Sequence, residues 1–191
     1  MNNHKLIKIL IFVISFAFSL QQISRANDIT EFEIDGISIG ESALNHFTEK
    51  EISEARDESY EDKEFITKTL LPKGSSSYEI YQITYKSLDK KKELHGINGV
   101  ITFPKNINEC KKLMKEISSE LSILFPFTEK KDWGKYDMSE GHYFPITFTF
   151  ENNSRVMVAC YDWNKKSGIT DSLKLSLYTS DYRKYLAKQK Q

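Results

Sequence analysis

The sequence predicts an α+β domain: an antiparallel sheet of four to six strands, with one main amphipathic helix over about residues 107–124 packed on its apolar face and short helices at both ends of the mature chain. Three observations carry this. First, apolar and polar side chains alternate in three C-terminal segments, marked by Phe144, Ile146, Phe148 and Phe150, by Val156, Val158 and Cys160, and by Leu173, Leu175 and Leu177. Such alternation belongs to strands with one dry face. Second, Cys110, Leu113, Met114, Ile117, Leu121 and Leu124 recur at three- and four-residue steps, the stripe of a helix. Third, Asn152-Asn153 and the charged run Asp89–Lys92 supply turns between alternating segments.

The chain opens with a three-part leader. Met1–Lys8 is polar and carries Lys5 and Lys8, Ile9–Leu20 is an unbroken apolar run, and Ser24-Arg25-Ala26 places small residues ahead of a cut before Asn27. This is the layout of a secretory signal peptide, and its apolar run is shorter than the ~20 residues needed to span a bilayer as helix. The expected organisation is residues 1–26 as signal peptide and residues 27–191 as one exported domain, periplasmic or secreted. No cysteine near Ala26 offers lipid attachment, so no membrane insertion is expected after cleavage.

Within the domain, Phe32-Glu33-Ile34-Asp35 alternates as a short strand and Gly36–Gly40 reads as a tight connection. A helix is expected from Ser42 to about Phe47. A second opens at Thr48, with Glu51 as its capping-box partner, and runs to about Arg56. Leu44, Phe47 and Ile52 can share an inward side across the two helices. Asp57–Lys63 reads as a solvated loop and Leu70–Ser77, with Pro72 and Gly74, as a connection. Tyr78–Ser87 is a strand with Tyr81, Ile83 and Tyr85 on one face. Asp89–Lys92 is a hairpin tip and Leu94–Phe103 the return strand, where Gly96 and Gly99 signal a bulge or close packing. Asn106, with Glu109 three residues on, caps the long helix, which Pro126 ends. Glu129–Gly141 reads as a polar loop, the three alternating strands follow, and Ser180 is expected to cap a last short helix, with Ala187–Gln191 frayed.

Composition excludes some functions. Lys+Arg and Asp+Glu both number 27, and after Ala26 the balance is 24 basic against 27 acidic residues. A slightly acidic, mixed surface does not indicate nucleic-acid binding. Two cysteines and scattered His46, His95 and His142 lack zinc-like spacing, so neither metal nor other cofactor is implied. Cys110 lies on the helix stripe and Cys160 on the valine face of its strand, so both point into one helix–sheet interface. In an exported chain this predicts a disulfide.

Two serines sit in nucleophile-like wording. Gly36-Ile37-Ser38-Ile39-Gly40 matches the G-x-S-x-G elbow of α/β-hydrolases, but that fold needs parallel strands before the nucleophile and here the sheet reads antiparallel. Gly40-Glu41-Ser42-Ala43 is similar to the Gly-Asp-Ser-Leu opening of an esterase family. Gly96-Ile97-Asn98-Gly99 lacks that family's acid, and no histidine follows His142 to activate Ser42. Capping explains Ser42 and a tight turn explains the glycines. The carboxylates of Asp57–Lys63 sit in a charged loop rather than across a visible cleft.

Aromatic residues give the candidate binding patch: Trp133, Tyr136, Tyr161 and Trp163, with Tyr143 nearby. Tyr161 and Trp163 fall on the strand face opposite Cys160. They form either an exposed platform for a sugar, peptide or partner, or a second small core.

The run Phe32–Phe47, with Thr48–Ile52, resembles the opening of a family of uncharacterised exported bacterial proteins that share an F-x-I-x-G-x-S-I-G-x-S pattern. Asp132-Trp133-Gly134 and Cys160-Tyr161-Asp162-Trp163 are similar to later segments of that family. The resemblance implies export and a shared fold and transfers no catalytic residue. A fainter similarity links the Gly-containing turn to small periplasmic outer-membrane assembly lipoproteins, whose lipidated cysteine this chain lacks. The expected function is a non-catalytic exported module that binds an envelope protein or glycan. The alternative is a small periplasmic serine hydrolase using Ser38 or Ser42.

Overall fold

The computed structural model describes residues 28–104 and 106–189, so the leader expected over residues 1–26 lies outside the described residues. The described chain is α+β. Its sheet has nine strands, all antiparallel, rather than four to six. They are β1 (Arg56–Asp57), β2 (Phe65–Leu70), β3 (Ile80–Lys86), β4 (Leu94–Thr102), β5 (Glu129–Asp132), β6 (Tyr136–Met138), β7 (Gly141–Thr149), β8 (Arg155–Trp163) and β9 (Ser172–Tyr178). The spatial order is β1-β2-β3-β4-β9-β8-β7-β5, and β6 continues β5 along the same edge of β7. Three helices accompany it: α1 (Glu49–Glu54), α2 (Ile107–Leu124) and α3 (Ser180–Lys188).

The sheet has two unlike faces because its strands alternate. Val156, Val158, Cys160, Leu173, Leu175 and Leu177 are buried on one face with Ile146 and Phe148. There α2 lies on β8 and β9 with Cys110, Met114 and Leu121 inward, as its stripe requires. Asn106 caps it by accepting from the Glu109 N–H. The predicted disulfide is present: Cys110 and Cys160 are bonded, with Cα atoms 6.0 Å apart. The other half of this face is roofed by the N-terminal segment, whose Ile34, Ile37, Ile39, Ala43, Phe47 and Ile52 pack with Tyr81, Ile83 and Tyr85.

The N-terminal strand expected at Phe32–Asp35 is replaced by a single bridge between Ile34 and Ile37. Asp35 and Gly36 between them both take positive φ, as a two-residue reversal demands. The carboxylate of Asp35 accepts from Ser76 Oγ, the Ser77 N–H and Tyr81 Oη, and so ties the turn to the sheet. The expected Ser42–Phe47 helix is one 3-10 turn, Ala43–Asn45, capped by Ser42. Leu44 points outward, at 37% exposure, so only Phe47 and Ile52 face inward. The Thr48–Glu51 capping box is formed in both directions.

Two strands, β5 and β6, fill about half of Glu129–Gly141, which the sequence reads as loop, and β2 forms over Phe65–Leu70, a stretch to which the sequence reading gives no element before Leu70. The last helix is capped by Thr179, one residue before the expected Ser180. The bulge in the β3–β4 pair falls at His95, where Thr84 pairs Gly96 but Tyr85 pairs Leu94. The nearby glycines instead serve close packing, since a Cβ on Gly99 would lie 2.5 Å from the Tyr78 ring.

Candidate functional site

The face opposite α2 carries the predicted aromatic residues. Its odd-numbered β7 and β8 positions, with the β5–β6 edge, bring Trp133, Tyr136, Tyr143, Tyr161 and Trp163 into one ladder. Tyr136 pairs Tyr143 across β6–β7 and Tyr143 pairs Tyr161 across β7–β8. Successive ring centroids lie 6.2, 5.4, 5.5 and 5.8 Å apart from Trp133 to Trp163. Tyr143, Tyr161 and Trp163 are nearly parallel, with interplanar angles of 13° and 14°. Directly opposed strand positions are close enough for such contacts.

The ladder is half exposed. Tyr136 is 39% exposed, while Trp133, Tyr143, Tyr161 and Trp163 are half-buried. Trp133 is fixed by donation from Nε1 to Thr147 Oγ1 at 2.9 Å, and Lys131 Nζ sits 3.5 Å from its ring centre. Trp163 Nε1–H is buried and has no hydrogen-bond acceptor among the described residues. Gly141 makes the crossing at Trp163 possible, because any Cβ there would fall 2.2 Å from the Asp162 carbonyl oxygen. Burial pushes the Tyr161 and Tyr143 hydroxyl pKa values up, so both remain neutral donors at ordinary pH.

Beside the ladder lies a polar centre that sequence reasoning missed. Lys174 Nζ sits 5.0 Å from the Tyr161 ring centre and donates to Gln82 Oε1 at 3.1 Å. Asn98 Nδ2 donates to the same oxygen, Gln82 Nε2 donates to Glu58 Oε2, and Tyr178 Oη donates to Asn98 Oδ1. Burial lowers the Lys174 pKa, with the charge of Glu58 opposing it. These residues were legible only as the polar alternation partners of Leu173, Leu175 and Ile97. Beyond them, α3 covers the remainder of this face through Tyr182 and Tyr185 on Phe65.

Among the described residues, neither serine hydroxyl hydrogen-bonds a histidine or a carboxylate. Ser42 Oγ donates to the Lys91 carbonyl and accepts from the Leu44 N–H, the work of a cap. Ser38 contributes its backbone N–H to Glu41 Oε1, which His46 Nε2 also meets at 2.8 Å. His95 Nδ1 meets Thr179 Oγ1 and His142 Nδ1 lies 2.7 Å from Asp137 Oδ1. A groove of about 500 Å³ opens on the α2 side, lined by Phe32, Tyr78, Ile117, Leu121, Leu124 and Glu120. It is apolar, without the several converging polar groups that fix a ligand's orientation. No helix among the described residues is long and apolar enough to cross a membrane.

No protein-family model, curated protein or solved structure matches this chain.

Proposed function

We propose that the chain is an exported, non-catalytic binding module and that its ligand is an envelope glycan held on the sheet face opposite α2. The carrying observation is the five-ring ladder from Trp133 to Trp163 set directly beside the Lys174–Gln82–Asn98 centre. A sugar presents apolar C–H faces and hydroxyl edges together. Rings next to amide and ammonium groups match that mixture, whereas a partner helix would call for a wider apolar surface. The unmatched N–H of Trp163 supports the same reading, since a buried donor without an acceptor needs an explanation such as a water or ligand oxygen. Export is supported by the leader-like wording of residues 1–26 and by the Cys110–Cys160 bond, which suits an oxidising compartment.

The test is binding to polysaccharide isolated from the host envelope, with Trp133→Ala and Trp163→Ala against the native chain. Each ring should contribute at least ~0.5–1.5 kcal/mol, so each variant should bind roughly 2- to 13-fold more weakly or worse with its fold intact. Binding equal to the native chain in both variants would remove the ladder from the site. Specific retention by an envelope protein instead of polysaccharide would replace the ligand class. Labelling by a serine-directed phosphonate, abolished by Ser38→Ala or Ser42→Ala, would favour the hydrolase reading.

A further inference from the structure

At the far end of the same sheet face, two arginines lie at the β7–β8 turn, neither of them in an ion pair among the described residues. Arg155 opens β8 on the Tyr161 side of the strand, and its Nε donates to Thr149 Oγ1 at 3.2 Å. Arg183 lies in the first turn of α3 and reaches over the β7–β8 turn, where Nη1 donates to the Asn153 carbonyl. Both side chains are half-buried. No carboxylate oxygen of an Asp or Glu lies within 4.0 Å of either guanidinium. Every Asp and Glu of the chain lies among the described residues, so no side-chain acid outside them can supply that partner.

This arrangement is unfavourable as it stands. Burial, and then the neighbouring charge of Arg155, lowers the Arg183 pKa to about 10, and burial lowers that of Arg155 with Glu129 opposing. Guanidinium groups nevertheless keep their protons at any physiological pH. Arg183 is also at the helix end where the dipole favours anions over cations. Folding has therefore gathered two fixed positive charges, each with neutral oxygen partners, at a helix start. Neutral acceptors satisfy single N–H groups, and neither guanidinium is in an ion pair, although the charge of Glu129, in register with Arg155 through Thr149, reaches Arg155 from a distance.

We propose that Arg155 and Arg183 form a binding site for a phosphoryl group, the terminal phosphate of a phosphorylated ligand. Two forked cations match a dianionic tetrahedral oxyanion, which accepts several N–H bonds from different directions. A carboxylate carries only one charge and is matched by a single guanidinium. The site shares the sheet face with the aromatic ladder but rests on separate residues, so either can fail alone.

The experiment is thermal unfolding of the full chain in sodium phosphate against sodium chloride at equal ionic strength. Phosphate should raise the Tm along a saturating curve. Arg155→Gln and Arg183→Gln should each weaken the apparent affinity about tenfold or more, as expected for a lost charge-assisted contact, while Lys90→Gln, at the exposed turn between β3 and β4, leaves it unchanged. In chloride both glutamine variants should be at least as stable as the native chain, because a like-charge repulsion is removed. Arg183→Lys, which keeps the charge and loses the fork, should still weaken phosphate binding. Sedimentation with phosphatidylcholine vesicles containing phosphatidic acid distinguishes the source. Arginine-dependent co-sedimentation assigns a lipid phosphomonoester, and phosphate binding without it assigns a soluble one. A phosphate response identical in the native chain and the arginine variants overturns the site. So does a loss of stability in chloride with that response retained, which marks the pair as structural.

Discussion

At the residue scale, the Cys110–Cys160 bond shows how far side-chain pattern alone can reach. The helix stripe fixes one cysteine's direction and strand alternation the other's, and the two directions meet. The bond closes a separation of 50 residues, for which chain entropy gives ~4 kcal/mol. A Cys110→Ser, Cys160→Ser double variant should lose about 2–4 kcal/mol in urea unfolding. An unchanged midpoint would show that the packed helix needs no tether. Glu51 makes a second prediction. Lys73 and the capping bonds of Thr48 hold its pKa down, from an ordinary 4.5 to about 2. A depressed carboxylate stabilises the fold above its unfolded pKa and loses that effect as pH falls through the folded one. Stability should therefore decline between pH 4.5 and about 2, less steeply in Glu51→Gln. The same residue-scale logic reads Ser42 correctly as a cap. It cannot find Lys174 or Arg183, because their partners, the Tyr161 ring and Gln82 for one and the Asn153 carbonyl for the other, come from distant parts of the chain.

At the element scale, legibility follows how strongly one face is buried. The helix at Ile107–Leu124 was readable to its ends because stripe, cap and proline agree. β7, β8 and β9 were readable because one side of each is dry. β5 is Glu-Lys-Lys-Asp and exposed throughout, so it has no hydrophobic signal, and its pairing with β7 comes from the sheet edge alone. Such charged edges also discourage pairing with another chain. β2 alternates Phe65, Thr67 and Thr69 with Ile66, Lys68 and Leu70, apolar residues on both sides, because α3 covers Phe65 and α1 contacts the strand from the other. A single substitution tests the β7–β8 crossing. Gly141 has φ 151° and no room for a Cβ against the Asp162 carbonyl. Gly141→Ala should cost about 3 kcal/mol or more by denaturation, and should loosen Trp163 before the α2 core. A loss below 0.5 kcal/mol would mean that the ladder end adjusts freely.

At the scale of the whole molecule, one sheet has two unlike faces. The face under α2 and the N-terminal segment is apolar and disulfide-tied, and it holds the main core. The opposite face is only partly covered by α3. It leaves rings, amides and basic groups half exposed, the groups on which the proposed ligand site rests. The ladder's members were legible, but their order was not, since it depends on β6 pairing with β7 and on the register Tyr143 to Tyr161. This arrangement supplies its own probe. The chain has two tryptophans, Trp133 and Trp163, and both are on the ladder. The most direct measurement is tryptophan fluorescence during titration with soluble host-envelope polysaccharide. Ligand on the ladder should shift or quench the emission along a saturating curve, and Trp133→Phe and Trp163→Phe should each remove part of the change. Polysaccharide that binds without altering either tryptophan, or that does not bind at all, would contradict the assignment of this face.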